Sequence, residues 1–271
     1  MRKILLVSGE SNSDPYYFCD VYGKERSEVI TWPDIVAEKL NLELVNLSKY
    51  GTGNDYIFDS LIDGIIKYGQ NIKAIIVPWT EISIHSFFYI KSLFPFIELN
   101  NYENPTARQW LKKVNMEKVT QNFWKSEIFD KSIYSRMIND LFTKMFILMN
   151  ICKINSINLI MFQGYELIDL NTFIKFQETN NLPEKSLISE KIIEDMYVNN
   201  AIFKILEENK DILLGWPFLK SLGGDYFVKK AQENPEYRIS ETDYHPSEKC
   251  HREYAEKIIK KYIDVYGFNC L

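Results

Sequence analysis

The stretch KILLVSG, residues 3–9, is the segment that decides the fold. It is a continuous apolar run that stops at a glycine, a pattern typical of a strand buried on both faces. Similar strands and intervening helices follow it along the first third of the chain. They are predicted as helix 31–40, strand 42–48, helix 54–68 and strand 73–79. Strands separated by single helices pair in parallel through right-handed crossovers.

The rest of the chain continues this alternation less regularly. A long helix is predicted at 132–152, strands at 157–164 and 212–216, and a last helix from Ser247 to about Val265. The sequence therefore predicts one three-layer α/β/α domain over residues 1–271, with a mostly parallel sheet of about five strands. An aromatic-rich insertion or lid is expected at about 82–130, and a second irregular, mostly helical region at about 165–209.

Composition and charge limit the function classes. The 271 residues carry a net charge of −5, which gives no general attraction to nucleic acid or to an anionic membrane. No run approaches the ~20 apolar residues of a membrane span, and the N-terminal run is too short for a signal peptide. We therefore expect a cytoplasmic protein without nucleic-acid or membrane partners. Its oligomeric state is left open.

Cysteine and histidine usage gives no sign of a metal or cofactor. Cys19, Cys152, Cys250 and Cys270 are widely scattered without a CxxC pair, and the chain has only three histidines. No zinc-ligand spacing results, so free thiols are expected. The first strand is not followed by a GxGxxG or GxxxxGK[ST] motif, which disfavours a nucleotide- or flavin-binding domain. The sequence thus predicts no metal and no cofactor.

A serine, a histidine and an acid stand where they could act together. Ser11 follows the first strand, and His245 precedes Pro246 and the start of the last helix, whose N-terminus disfavours a positive charge. Asp243 is near enough to orient the imidazole if the loop folds back. This trio suits acyl transfer, because a hydroxyl is a poor nucleophile until a base takes its proton. The alternatives are a serine that bonds its own turn and an acid that serves only the helix dipole.

At these residues the chain resembles the SGNH, or GDSL-like, hydrolase family. Gly9-Glu10-Ser11 is similar to the Gly-Asp-Ser block of that family, and NLSKYGTGND (46–55) is similar to its second block. TDYHPSEKCH (242–251) is similar to its last block, Asp-x-x-His-Pro. The set looks most like a divergent branch found in tailed-phage genomes, which would allow a virion-associated location. The resemblance implies a flavodoxin-like fold, a Ser11 nucleophile, a His245 base and an oxyanion donor at Gly51.

Two blocks depart from the family pattern. The third block, Gly-x-Asn-Asp, is replaced by Pro78-Trp79-Thr80-Glu81, so its oxyanion-binding asparagine is missing. By the resemblance, Thr80 or Asn54 would take over that hydrogen bond. In the last block Asp243 stands two residues before His245 instead of three, and Thr242 holds the family's acid position.

The predicted function is a serine hydrolase of the esterase or deacetylase type. By resemblance, its substrate is an acyl ester of a carbohydrate or small molecule. Two alternatives stay open: an acyltransferase using the same site, and a non-catalytic binding or structural protein on this fold, for example a glycan-binding phage component.

Overall fold

The computed structural model describes residues 2–82, 131–168, 189–241 and 243–267. Its centre is a sheet of five parallel strands in the order β2-β1-β3-β4-β5, the order of flavodoxin-like sheets. The strands are β1 Ile4–Val7, β2 Glu43–Asn46, β3 Ile72–Trp79, β4 Asn158–Gln163 and β5 Leu213–Leu214. The predicted three-layer fold with a parallel five-stranded sheet is confirmed.

Helices cover both faces of this sheet. Those in the described ranges are α1 Pro15–Tyr22, α2 Trp32–Lys39, α3 Asn54–Tyr68, α4 Lys131–Ile154, α5 Glu190–Val198, α6 Ala201–Glu208, α7 Lys229–Glu233 and α8 Glu248–Tyr266. Single 3-10 turns connect several of them. None of the helices in these ranges is long and apolar enough to cross a membrane.

The apolar side chains of the central strands divide into two cores. On one face, Leu5 of β1 packs in a cluster with Trp32 of α2 and Ile258 of α8. On the other face, Leu6 packs in a cluster with Ile57 of α3 and with residues of α4. Consecutive residues of a strand point to opposite faces, so a strand covered on both sides must be apolar throughout. This explains the continuous apolar run from which the first strand is predicted.

Most predicted elements are found with shifts of a few residues at their ends. Helix α1 was not predicted, although Asp14 caps it by accepting a hydrogen bond from the backbone N–H of Tyr16, and Pro15 occupies its first turn. The expected insertion at about 82–130 lies outside the described residues except for Ile82. Of the second region, residues 169–188 also lie outside them.

The chain direction places candidate site residues at one edge of the sheet. In a parallel sheet all strands end on the same side, and sites form beyond these carboxyl ends. The segments that leave β1, β2, β3 and β4 there carry Ser11, Gly51, Thr80 and Tyr165 respectively.

Candidate active site

Ser11 lies in a tight turn between β1 and α1. The carbonyl oxygen of Glu10 accepts hydrogen bonds from the backbone N–H groups of Ser13 (2.9 Å) and Asp14 (3.2 Å), which closes the turn around Ser11. Gly9 is required for its approach to β3, because a Cβ at this position would lie 2.6 Å from Cγ of Pro78. The sequence thus turns the chain sharply at the strand end and leaves Ser11 8% exposed.

Neighbouring elements fix this turn although its residues are polar and buried. The indole N–H of Trp32 donates to Oγ of Ser13 (3.1 Å), and Nδ2 of Asn46 donates to the Ser13 carbonyl (2.8 Å). Oδ2 of Asp14 accepts from the backbone N–H of Tyr50 (2.9 Å), which ties the loop after β2 to the turn. Buried polar groups are tolerated when their hydrogen bonds are satisfied, and here those bonds make the turn rigid.

The structure brings Ser11, His245 and Asp243 together. Oγ of Ser11 lies 2.9 Å from Nε2 of His245, and Nδ1 of His245 lies 2.5 Å from Oδ1 of Asp243. A carboxylate can only accept, so Nδ1 of the imidazole carries a hydrogen, and Nε2 faces the serine. The hydroxyl, the imidazole and the carboxylate thus form a chain of hydrogen-bond contacts, as the predicted roles of nucleophile, base and orienting acid require.

The two-residue spacing of the acid is compatible with this contact. Oδ1 of Asp243 accepts both from the backbone N–H of His245 (2.9 Å) and from its ring, so the carboxylate folds back over the following loop as in an Asx turn. Oδ2 accepts from the hydroxyls of Tyr17 (3.1 Å) and Tyr22 of helix α1. Burial alone would raise the pKa of Asp243, but the hydrogen bonds from Tyr22 and His245 lower it to about 2.

The backbone and ring of His245 are held as well. The His245 carbonyl accepts a hydrogen bond from the backbone N–H of Ile239 (3.0 Å). The backbone N–H of Ser247 donates to the Tyr237 carbonyl (2.8 Å), so two backbone hydrogen bonds join these segments. The ring of Tyr17 packs against the imidazole with centroids 4.2 Å apart. The imidazole is therefore oriented from both its edge and its face.

Two further side chains contact the serine hydroxyl, and the sequence analysis had not assigned a role to either. Oε2 of Glu10 lies 2.7 Å from Oγ of Ser11. The hydroxyl of Tyr165 lies 3.3 Å from both Oγ of Ser11 and Nε2 of His245. Tyr165 follows β4 directly, at the site edge of the sheet, and this position was the signal that could have identified it.

The residues predicted to hold an oxyanion are placed less directly. Oδ1 of Asn54 accepts from the Thr80 N–H (2.9 Å), and Nδ2 of Asn54 donates to the Thr80 carbonyl (3.0 Å). This pair joins the start of α3 to the end of β3. Thr80 is fully buried, and its Oγ1 has no hydrogen-bond partner within the described part of the chain. Gly51 is exposed at φ +72°, in the loop that Tyr50 ties to the nucleophile turn. The oxyanion role of these three residues stays a prediction.

A cleft of about 280 Å³ opens beside Tyr165. We call it the acidic cleft, because three carboxylates and one ammonium line it. Its lining residues are Glu81, Tyr165, Glu166, Lys220, Tyr226, Gln232 and Glu233. Since Tyr165 also contacts Ser11, the cleft adjoins the candidate nucleophile.

The described ranges contain no group of three or more His, Cys, Asp or Glu side chains arranged to hold a metal ion. Cys19, Cys152 and Cys250 are free thiols, and Cys270 lies outside the described residues.

No protein-family model and no curated protein matches the chain. Among solved structures, it is similar to the crystal structure of the psychrotrophic esterase EstA from Pseudoalteromonas sp., inhibited by monoethylphosphonate. The TM-score is 0.48 and the identity 11%, over 97% of this chain and 99% of that one.

Proposed function

We propose that the protein is a serine-dependent ester hydrolase, with Ser11 as nucleophile and His245 as base. The observation that carries this proposal is the pair of contacts at His245, 2.9 Å to Oγ of Ser11 and 2.5 Å to Oδ1 of Asp243. A base that is oriented by a carboxylate and aimed at a hydroxyl is the arrangement that activates serine.

In the proposed reaction, Oγ of Ser11 attacks the ester carbonyl while its proton passes to Nε2 of His245. Asp243, which stays ionised because of its low pKa, stabilises the imidazolium. The tetrahedral intermediate then expels the alcohol, which takes the proton from Nε2, and an acyl-serine remains. Water, deprotonated by His245, attacks this ester, releases the acid and restores Ser11.

The oxyanion needs donors beside the serine. We propose the N–H of Gly51 for this role, with Asn54 and Thr80 as the further candidates. The Tyr165 hydroxyl is another donor within 3.3 Å of the nucleophile oxygen. One lost oxyanion donor typically lowers kcat about 10²–10³-fold, so the missing block-three asparagine predicts a slow enzyme unless one of these residues replaces it.

The proposed substrates are esters of short acyl groups on a carbohydrate or another small molecule. Transfer of the acyl group to a second alcohol shares the first half of the reaction and differs only in the acceptor. Hydrolysis and transfer pass through the same acyl-serine. An assay of product formation with and without an added acceptor alcohol therefore separates the two activities.

A second candidate function is a non-catalytic binding or structural protein. The observation that favours it is that Oγ of Ser11 lies nearer to the Glu10 carboxyl (2.7 Å) than to His245 (2.9 Å). A serine that donates its only proton to a carboxylate is not activated by the histidine.

Reaction with a fluorophosphonate, followed by intact-mass analysis, tests the proposal. The wild type should gain one label, and Ser11→Ala and His245→Ala should gain none. Ser8→Ala is the matched control, since Ser8 is also a buried serine beyond β1, but its hydroxyl forms a hydrogen bond with Oγ of Ser60 at 2.7 Å. It should label like the wild type. No label on the wild type, or labelling that survives Ser11→Ala, would reject the proposed nucleophile.

A further inference from the structure

Glu10 places a buried carboxyl group against the nucleophile. It is 2% exposed, and besides the contact with Ser11 its Oε2 accepts from the backbone N–H of Asn12 (2.8 Å). Oε1 accepts from Nδ2 of Asn12 (3.0 Å), and a Cβ on Gly164 would lie 3.2 Å from it. The carboxyl is therefore fixed by hydrogen bonds on one side and by the end of β4 on the other.

The serine hydroxyl cannot serve both of its neighbours at once. The hydroxyl has one proton to donate, while Oε2 of Glu10 lies 2.7 Å and Nε2 of His245 lies 2.9 Å from Oγ of Ser11. If the proton points to His245, Oε2 must itself carry a hydrogen and donate to Oγ, since otherwise two lone-pair oxygens would meet at 2.7 Å. If the proton points to an ionised Glu10 and the pair holds the same number of protons, Nε2 carries a hydrogen and donates to Oγ.

From this geometry we propose that Glu10 is a positioning residue whose carboxyl must be protonated for Ser11 to be activated, an inference that rests on the proposed function. In the active arrangement Glu10 donates to Oγ, and Oγ donates to Nε2 of His245. In the inactive arrangement the proton that Glu10 held is instead on Nε2 of His245. The serine then lies between the Glu10 carboxylate anion and the His245 imidazolium cation. The two arrangements hold equal numbers of protons, so pH does not interconvert them.

Adding or removing a proton abolishes the active arrangement. With one proton more on the pair, Nε2 of His245 carries a hydrogen and cannot accept the serine proton. At high pH Glu10 is ionised, draws the serine proton and places a negative charge beside the developing oxyanion. Activity should therefore rise and then fall with pH, with apparent pKa values that belong to the pair.

The groups around Glu10 are consistent with a carboxyl that can hold its proton. Burial raises its pKa, while hydrogen bonds from Asn12 and Ser11 and the charge of His245 oppose that rise. The titratable groups that act on it within the described residues are His245, from the loop before α8, and Tyr165, from the end of β4. Burial also raises the pKa of the Tyr165 phenol, so that neighbour stays uncharged. At the end of β3, Pro78 and Trp79 carry no titratable group.

The decisive experiment compares fluorophosphonate labelling rates of the wild type, Glu10→Gln and Glu10→Asp from about pH 5 to about pH 9. The wild-type rate should rise, pass a maximum and fall about tenfold per pH unit beyond its upper apparent pKa. Glu10→Gln, which has no charge to gain, should rise to a plateau, whereas Glu10→Asp should keep a falling limb at a shifted pH. Tyr165→Phe should also keep the falling limb, which separates the carboxyl from the phenol.

Each outcome decides the matter. A falling limb in Glu10→Gln equal to that of the wild type, or a folded Glu10→Gln that takes no label, refutes the role of Glu10 while the serine site stands. Should Glu10→Gln fail to fold, a wild-type profile without a falling limb refutes the role, and a limb that moves in Glu10→Asp supports it. Absence of label on the wild type at every pH overturns the proposed function and this inference with it.

Discussion

Acidification from about pH 7 to about pH 4.5 should destabilise the folded protein through one buried histidine, His251 of α8. Its Nδ1 accepts the backbone N–H of Trp32 (3.2 Å), which caps the first turn of α2 and requires the neutral ring. The side chain is 1% exposed and packs between the rings of Phe18 and Phe227. Burial, assisted by the charge of His245, lowers its pKa to about 3, against a smaller opposite effect of Asp34.

The size of the effect follows from proton linkage. The pKa of the folded state lies below the ordinary histidine value of about 6.5, so the unfolded chain binds more protons between these values. The stabilisation is complete above about pH 6.5 and is lost as the pH falls toward about 3. The linkage relation gives almost no loss of this stabilisation at pH 7 and a loss of about 3 kcal/mol at pH 4.5. His251 alone should therefore remove about 2–3 kcal/mol of unfolding free energy over this interval.

Urea unfolding of the wild type and His251→Asn at both pH values measures this contribution. Asparagine offers an amide oxygen in place of Nδ1 and does not titrate. The variant can be less stable at both pH values, but it should lose about 2–3 kcal/mol less than the wild type on acidification. Other titrating groups are common to both proteins and cancel in this double difference. Equal losses in the two proteins would refute the reasoning.

Three other predictions concern the site. Tyr22→Phe removes a donor to the Asp243 carboxylate, so the pKa of Asp243 should rise from about 2 toward its ordinary value. Fluorophosphonate labelling should then weaken at acidic pH, and an unchanged acidic limb of the labelling profile would contradict this. Gly9→Ala should cost about 1–3 kcal/mol of stability in urea unfolding and slow labelling, since its Cβ would meet Pro78 at 2.6 Å; wild-type stability would be inconsistent with the packed turn. Because carboxylates dominate the acidic cleft, a neutral acetyl ester should be hydrolysed with a higher kcat/KM than a carboxylate-bearing analogue, and the reverse order would exclude the cleft as the substrate path.

The strands of the central sheet could be predicted because their pattern is decided locally. A strand that is covered on both faces is apolar throughout, and β1, β3 and β4 are buried along almost their whole length. The parallel pairing followed from single helices between strands. In contrast, α1 escaped prediction because its residues, PYYFCDVY, combine bulky aromatic side chains with polar ones, and only its Asp14-Pro15 start is a helix signal.

The contacts of the site could be predicted where a residue pattern or closeness in sequence points to them. The end of β1 and the loop before the last helix carry Ser11 and His245, and their meeting was predicted from the serine–histidine–acid pattern and from the resemblance of both segments to family blocks. The partners of Asp243 did not follow, because Tyr17 and Tyr22 belong to the helix that was not predicted. The contact of Tyr165 with Ser11 depends on the path of the chain after β4, and the hydrophobic periodicity of the sequence does not predict this path.

The shortened spacing between Asp243 and His245 acquires a physical explanation from these tyrosines. A carboxylate two residues before a histidine can bond its backbone N–H and its ring with one oxygen, which leaves the other, partly buried oxygen free to accept from other donors. Helix α1 supplies both donors, and the same turn that starts this helix carries Ser11. The turn that carries Ser11 and the donors to Asp243 thus belong to one continuous segment, residues 9–22. A change that displaces α1 should disturb Ser11 and Asp243 together, and it should lower labelling more than the loss of either tyrosine hydroxyl alone.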